Sequence, residues 1–243
     1  MKNTPFIAVT SQPVPYHADT TAIFNTLCQQ NSNSLLLDSA EIGSKNSLQS
    51  LILINAAVKI TCLGNQVTFR ALNANGKQVL NEIHPVLSQL GTVRAVNFDN
   101  EFSVQFAPLD NQLDEDSKLQ AATIFDGLRV ISNHYQHSST PVFLGGLFAY
   151  DLVANFIPMQ GVELKDDGIN CPDYSFYLAE NLITIDHQSQ QATLKSFCFS
   201  QEEQVEVAKT ALSIAQKLKN IDGVLSIKAA SDEVSTNFED PEF

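Results

Sequence analysis

The hydrophobic positions of this chain change period several times, and each change predicts an element. Asp19 precedes Thr20, Thr21, Ala22, Ile23, Phe24 and Leu27, so its carboxylate can accept from the free amides of a first turn. An N-capped helix ending near Gln30 is expected. Leu35, Leu36 and Leu37 form a compact apolar run suited to a strand buried on both faces, stopped by Asp38 and Ser39. Val58, Ile60 and Cys62, then Val67, Phe69 and Ala71, alternate with polar neighbours around Gly64 and Asn65, which predicts a hairpin. Asn75-Gly76 reads as a second turn. Val79, Ile83, Val86, Leu87 and Leu90 then recur at helical spacing across Pro85, which should divide or kink that helix. Phe102, Val104 and Phe106 alternate again as a strand.

The second half begins with the acidic run Asp114-Glu115-Asp116, placed where a helix dipole favours negative charge. Behind it Leu119, Ala122, Phe125, Leu128 and Ile131 lie on one stripe, so a single helix to about Tyr135 is expected. Residues 141–150 read as an apolar strand interrupted by Gly145 and Gly146, and residues 151–154 turn helical. Residues 174–187 and 192–199 predict a long hairpin around 188–191. Ser200 and Glu203 have capping-box spacing, and Val205, Ala208, Ala211, Leu212, Ala215 and Leu218 follow as an amphipathic helix. Strands and helices mix without a strict βαβ rhythm. The expected class is therefore α+β, with mixed, largely antiparallel sheets and outer helices rather than a doubly wound nucleotide-binding fold.

Residues 1–222 are expected to form one structural region and residues 223–243 a polar, acidic linker. Asp240, Pro241 and Glu242 look like the start of a helix, which suggests the front part of a longer protein. The charge narrows the partners: 14 Lys and Arg against 27 Asp and Glu leave a formal charge of −13. Such a surface repels phosphate backbones and anionic lipid, so neither nucleic acid nor membrane is an expected partner. No run approaches the roughly 18 apolar residues that span a bilayer, and no signal-peptide pattern opens the chain. A cytoplasmic protein is expected. Cys28, Cys62, Cys171 and Cys198 lack metal-ligand spacing and read as small buried hydrophobes in a reducing compartment.

Few residues then suggest chemistry. His134 and His137 could hold a metal by spacing, but nothing in sequence completes the site, and two solvent-facing residues at a helix C-terminus are expected. Asp186 and His187 are strand neighbours pointing to opposite faces, hence a strand-end polar pair rather than an acid–base couple. Gly145-Gly146 lacks the spacing of a phosphate loop and reads as a packed or bent strand. The run Asp114 to Asp116 lacks the Gly and distal Glu of a calcium loop and reads as a helix start. Asp38 and Ser39 differ, because a strand delivering a carboxylate and a hydroxyl at its end can hold a ligand ammonium group; a strand-to-loop cap is the alternative.

Four longer motifs carry a resemblance: residues 35–42 (LLLDSAEI), 114–119 (DEDSKL), 145–154 (GGLFAYDLVA) and 171–187 (CPDYSFYLAENLITIDH). In that order, and over essentially the whole chain, they make it similar to the N-terminal part of the anthranilate synthase component I family, large subunits of tryptophan biosynthesis. The resemblance implies an orthogonal β-sandwich with helices outside. It implies an intact lyase that converts chorismate and ammonia to anthranilate and pyruvate. The ammonia would come from glutamine through a glutamine amidotransferase subunit, component II, and L-tryptophan would act as allosteric feedback inhibitor. Ser39 matches the family's tryptophan-contacting serine, Asp38 stands where the family usually has Glu, and Gln49 where some members have Lys. These three are the expected L-tryptophan-binding residues. Chorismate, Mg2+ and the catalytic residues belong in this family to the C-terminal half. No catalytic residue, metal site or cofactor is therefore expected in this chain, and it should be inactive alone. Two rival readings are the N-terminal part of the aminodeoxychorismate synthase large subunit and a non-catalytic tryptophan-binding module. A piece lacking its packing partner could also self-associate through exposed apolar surface.

Overall fold

The computed structural model describes residues 5–29, 31–38, 48–97, 100–108, 114–138, 140–156 and 171–221. Their elements run β1 (Ala8–Val14), α1 (Thr20–Cys28), β2 (Leu35–Asp38), β3 (Gln49–Leu63), β4 (Gln66–Ala71), α2 (Ala74–Leu87), β5 (Thr92–Asn97), β6 (Glu101–Gln105), α3 (Glu115–Gln120), α4 (Asp126–His134), β7 (Leu144–Phe148), β8 (Tyr174–Asp186), β9 (Gln191–Cys198) and α5 (Gln204–Lys219), with a 3-10 turn at Tyr150–Asn155 after β7.

Two long strands, β3 and β8, pair antiparallel and form a spine. At one end β2 joins β3, while β9 and then β1 extend from β8. At the other end β7 joins β8, while β4, β6 and β5 extend from β3. Among the described residues the sheet thus has nine strands, with the path β1-β9-β8-β3-β4-β6-β5 and β2 and β7 flanking the spine. Register shifts between Leu53 and Val58 mark bulges where the two ends meet, and bulges sharpen the twist that curls a sheet. Pro13 is tolerated in β1 because that strand has a partner on one side only, β9.

The parity of β3 follows from those bulges. Ile52 and Ile54 face a layer built with Ile23, Ile183, Ile185, Leu194, Ile214 and Leu218, beneath α1 and α5. Beyond the bulges Val58, Ile60 and Cys62 face the larger core, with Phe69, Val79, Ile83, Phe102 and Ile131, beneath α2 and α4. One strand therefore feeds two cores on opposite faces. Burial of that much branched aliphatic and aromatic surface, at about 25 cal/mol per Å2, is the main stabilisation of both layers.

Several expectations hold at the level of single residues. Asp19 caps α1 by accepting from Ala22 N at 2.8 Å. The hairpin of β3 and β4 pairs Val58 with Ala71, Ile60 with Phe69 and Cys62 with Val67. β8 and β9 form the second hairpin, from Asp186–Gln191 to Asn181–Ser196. The class is mixed, with one curled antiparallel sheet and few helices.

Others are corrected. Asn75-Gly76 is no turn but the first turn of α2, capped by Asn73 through Gly76 N at 2.8 Å. A Cβ on Gly76 would come 1.9 Å from Ala57 O, so glycine lets the helix press onto the spine. Of the two effects expected of Pro85, division does not occur: α2 continues through it to Leu87. The single helix expected from Asp114 to Tyr135 is two, α3 and α4. At the break Asp126, the first residue of α4, accepts from Thr123 N at 2.7 Å. β2 is not buried on both faces: it edges the sheet, and Leu37 and Asp38 are exposed. Ser200 Oγ accepts from Glu202 N instead of Glu203 N, and Glu203 makes no side-chain cap, so the capping box does not form and α5 starts at Gln204. Its buried stripe is Val207, Ala211, Ile214 and Leu218, leaving Val205 and Leu212 exposed. Cys28, Cys62 and Cys198 are buried, but Cys171 is exposed; all four are free thiols. The proposed boundary at 222–223 and the helix start at Asp240 lie outside the described residues.

Candidate functional site

Period-two alternation assembles a polar cluster at one end of the smaller core. Leu36 lies opposite Ile52 and Asp38 opposite Ser50, while Ser50 lies opposite Ile185 on β8. Residues directly opposite share a face. Since Ile52 and Ile185 face α1 and α5, Asp38 and Ser50 face them too. His187, two residues beyond Ile185, continues the series, its backbone held by His187 N donating to Leu48 O at 2.9 Å. The apolar rows on three strands thus all end in polar residues beside the start of α1.

The cluster is tightly connected. Ser50 Oγ donates to Asp38 Oδ1 and lies 2.8 Å from His187 Nε2. Thr20 Oγ1, from the first position of α1, donates to Asp38 Oδ2 at 3.1 Å. Tyr16 Oη lies 3.2 Å from His187 Nδ1, and the two rings meet edge to face at 5.9 Å. Ser50 and Thr20 are buried, Tyr16 and His187 are half-buried, and Asp38 is exposed. Among the described residues each Asp38 oxygen accepts from one hydroxyl, which leaves it a second acceptor site. The arrangement is a carboxylate fixed from behind and open in front, able to receive a ligand cation.

The structure divides the expected site residues. Asp38 stands in the cluster; Ser39 lies outside the described residues. Gln49 is exposed, pairs with Asp186, and by alternation faces away from Ser50. His187 proves to be more than a strand-end residue, whereas its neighbour Asp186 only closes the hairpin turn by accepting from Gln188 N and Ser189 N. Those amide donors hold the Asp186 carboxyl below the usual carboxylate range. Sequence reasoning missed Ser50, Thr20 and Tyr16. Their signal is non-local, since Ser50 and His187 are 137 positions apart.

The remaining candidates are structural. His134 is not solvent-facing: its Nε2 sits 2.9 Å from Glu82 Oε2, which also accepts from Tyr135 Oη at 2.9 Å, tying α4 to α2. Burial, then the Glu82 carboxylate, drives the Tyr135 phenol far up. His137 is exposed, and a cleft of about 260 Å3 beside it is lined by Pro5, Ile7, Val9, His134 and Tyr135. Gly146 is a close-packing glycine, because a Cβ there would come 2.1 Å from Ser175 O. Asp114 caps α3 by accepting from Ser117 N and Ser117 Oγ, which lowers its carboxyl. Among the described residues no group of three His, Cys, Asp or Glu is arranged to hold a metal ion. No described helix is long and apolar enough to cross a membrane.

Comparison with known proteins gives a consistent result. The family described as chorismate binding enzyme matches residues 80–240. Anthranilate synthase component 1 of Haemophilus influenzae is 85% identical over 98% of this chain and 46% of its own length. The protein of the same name from Vibrio cholerae is 40% identical over 100% of this chain and 47% of its own length. That of Escherichia coli is 37% identical over 81% of this chain and 37% of its own length. The chain spans about half the length, or less, of these relatives.

Proposed function

The chain belongs to the chorismate binding enzyme family, and from that premise we propose that it serves as the regulatory and scaffolding part of an anthranilate synthase component 1. The observation that carries the reading is 85% identity to such a protein together with the Asp38 cluster at the end of β2. In this reading Asp38, Ser39 and Gln49 contribute to an L-tryptophan feedback site. Asp38 suits an ammonium group, since its charge is held at the surface by two hydroxyl donors and its front remains open. The roles of Ser39 and Gln49 rest on the family resemblance.

The whole enzyme would convert chorismate and ammonia to anthranilate and pyruvate in the cytoplasm, with loss of water. The ammonia would come from a glutamine amidotransferase partner, component II. Magnesium would be held, as the family resemblance implies, by the C-terminal half of the whole enzyme. The two ends of the curled sheet, sharing β3 and β8, would correspond to the layers of an orthogonal β-sandwich.

The test is feedback inhibition. Whole component 1 carrying Ser39→Ala should lose most of its inhibition by L-tryptophan, and normal inhibition would overturn the site assignment. The purified 243-residue chain, given chorismate, ammonia and Mg2+, should form no anthranilate. Turnover by that chain would overturn its assignment as a non-catalytic part.

A further inference from the structure

We propose that His187 is the positioning residue for the Asp38 carboxylate, acting through Ser50, as the neutral imidazole with its proton on Nε2. The inference takes its functional meaning from the reading of Asp38 as a ligand-binding carboxylate.

The argument counts protons. Ser50 Oγ has one hydrogen to give and two lone pairs to receive. It lies within hydrogen-bond distance of both Asp38 Oδ1 and His187 Nε2. An ionised carboxylate can only accept, so the Ser50 proton goes to Asp38. His187 Nε2 must then donate to Ser50 Oγ. In a neutral imidazole the other nitrogen is an acceptor, and Tyr16 Oη, 3.2 Å from Nδ1, is the donor it meets. With the imidazole neutral, a single direction satisfies every contact: Tyr16 to His187, His187 to Ser50, Ser50 to Asp38.

Burial makes this direction consequential. Ser50 has no exposed surface, so its hydroxyl has no bulk water to turn to if a partner is lost. His187 is fixed on three sides, by Leu48 O on its backbone, by the Tyr16 hydroxyl and by the Tyr16 ring edge. It therefore anchors the Ser50 oxygen from inside the sheet. Thr20 independently fixes the second Asp38 oxygen from α1. With both oxygens tethered from behind, the remaining lone pairs point outward, and an incoming ammonium meets a carboxylate whose orientation has already been restricted.

The closing experiment reads the imidazole directly. The 243-residue chain, labelled with ¹⁵N-histidine, is examined near neutral pH by long-range ¹H–¹⁵N correlation, with His187 assigned by His187→Gln. The expected result is the Nε2–H tautomer, with the Nε2 resonance shifted by Ser50→Ala and Asp38→Asn. Tyr16→Phe should move chiefly Nδ1. An Nδ1–H tautomer, or a His187 spectrum indifferent to both Ser50→Ala and Asp38→Asn, would overturn the inference even if tryptophan binds. A parallel readout in whole component 1 compares His187→Leu with His187→Gln, whose amide restores a donor near the Nε2 position. The concentration of L-tryptophan for half inhibition should rise about tenfold in the first and stay within about threefold in the second. If the relay is present by ¹⁵N spectra but Asp38→Asn leaves inhibition untouched, the feedback reading falls while the relay stands.

Discussion

Asp38 and Glu180 are both carboxylates held by two neutral side-chain donors close to the spine, but they sit in opposite settings. Asp38 stands exposed at the end of an edge strand, with one hydroxyl on each oxygen. Glu180 is buried in the bulged stretch of β8, where a single oxygen accepts from Asn73 Nδ2 and Asn75 Nδ2, both at 2.9 Å. The partners of Glu180 are themselves committed. Asn73 caps α2, while Asn75 also donates to Phe197 O and accepts from Phe199 N at 2.6 Å. Glu180 thus joins a helix start to two strands. Burial pushes its carboxyl up despite the two amide donors. The contrast separates two uses of a negative charge: one is spent inside the fold, and the other is oriented and left available.

The largest effect should come from breaking the inner network. Glu180→Ala takes away the acceptor of the half-buried Asn73 amide and one of the two acceptors of the buried Asn75 amide, and opens a cavity, so a loss of about 2–4 kcal/mol is expected in urea unfolding. Asp38→Ala should lose less, about 1 kcal/mol, since the space vacated by this exposed side chain lets water reach the Ser50 and Thr20 hydroxyls. Comparable losses would erase the distinction. Next in size, Asn73→Ala removes both a cap and a Glu180 donor and should cost about 2 kcal/mol, against about 1 kcal/mol for Asp19→Ala, which removes only the cap of α1.

The pH dependence sharpens the same contrast. A carboxyl raised above its ordinary value of 4.5 binds its proton more tightly folded than unfolded. Its contribution is therefore complete below 4.5 and lost as pH rises through the raised value. Glu180→Gln keeps an acceptor oxygen but carries no charge. Its stability relative to the parent chain should improve as pH rises, and the two curves should run parallel below 4.5. Urea midpoints measured across that range supply the check; a constant difference would mean that Glu180 does not titrate abnormally.

How much of this could be read from the sequence depends on the distance between partners. The hairpin of β3 and β4 is encoded locally, by Gly64-Asn65 between alternating strands, and its register came out residue for residue. The cap of α1 is equally local. The start of α2 was misread because Asn-Gly is also turn chemistry; the deciding fact, the backbone of Ala57 against Gly76, lies elsewhere in the fold. β1 and β5 carried no strong alternation and were not anticipated, since their partners β9 and β6 define them as strands. Asp38 was legible as a strand-end carboxylate. Its supports were not, because Tyr16, Thr20, Ser50 and His187 come from four separate stretches that only the register brings together. Glu180 was invisible for the same reason, since a bulge interrupts the alternation that would have marked it as inward-facing.

The smallest expected change in stability tests the open carboxylate most directly. Asp38→Glu keeps the charge and adds one methylene, so the carboxylate moves outward and cannot retain both the Ser50 and Thr20 bonds in their present geometry. One partly exposed hydrogen bond is at stake, which limits the loss to about 0.5 kcal/mol. The longer side chain reaches further toward a ligand ammonium at that edge, so L-tryptophan should inhibit whole component 1 at lower concentration even as the fold loosens slightly. A stability loss approaching that of Glu180→Ala would show Asp38 to be as deeply built into the fold as its buried counterpart. Unchanged stability with unchanged inhibition would place the ligand contact elsewhere than on this carboxylate.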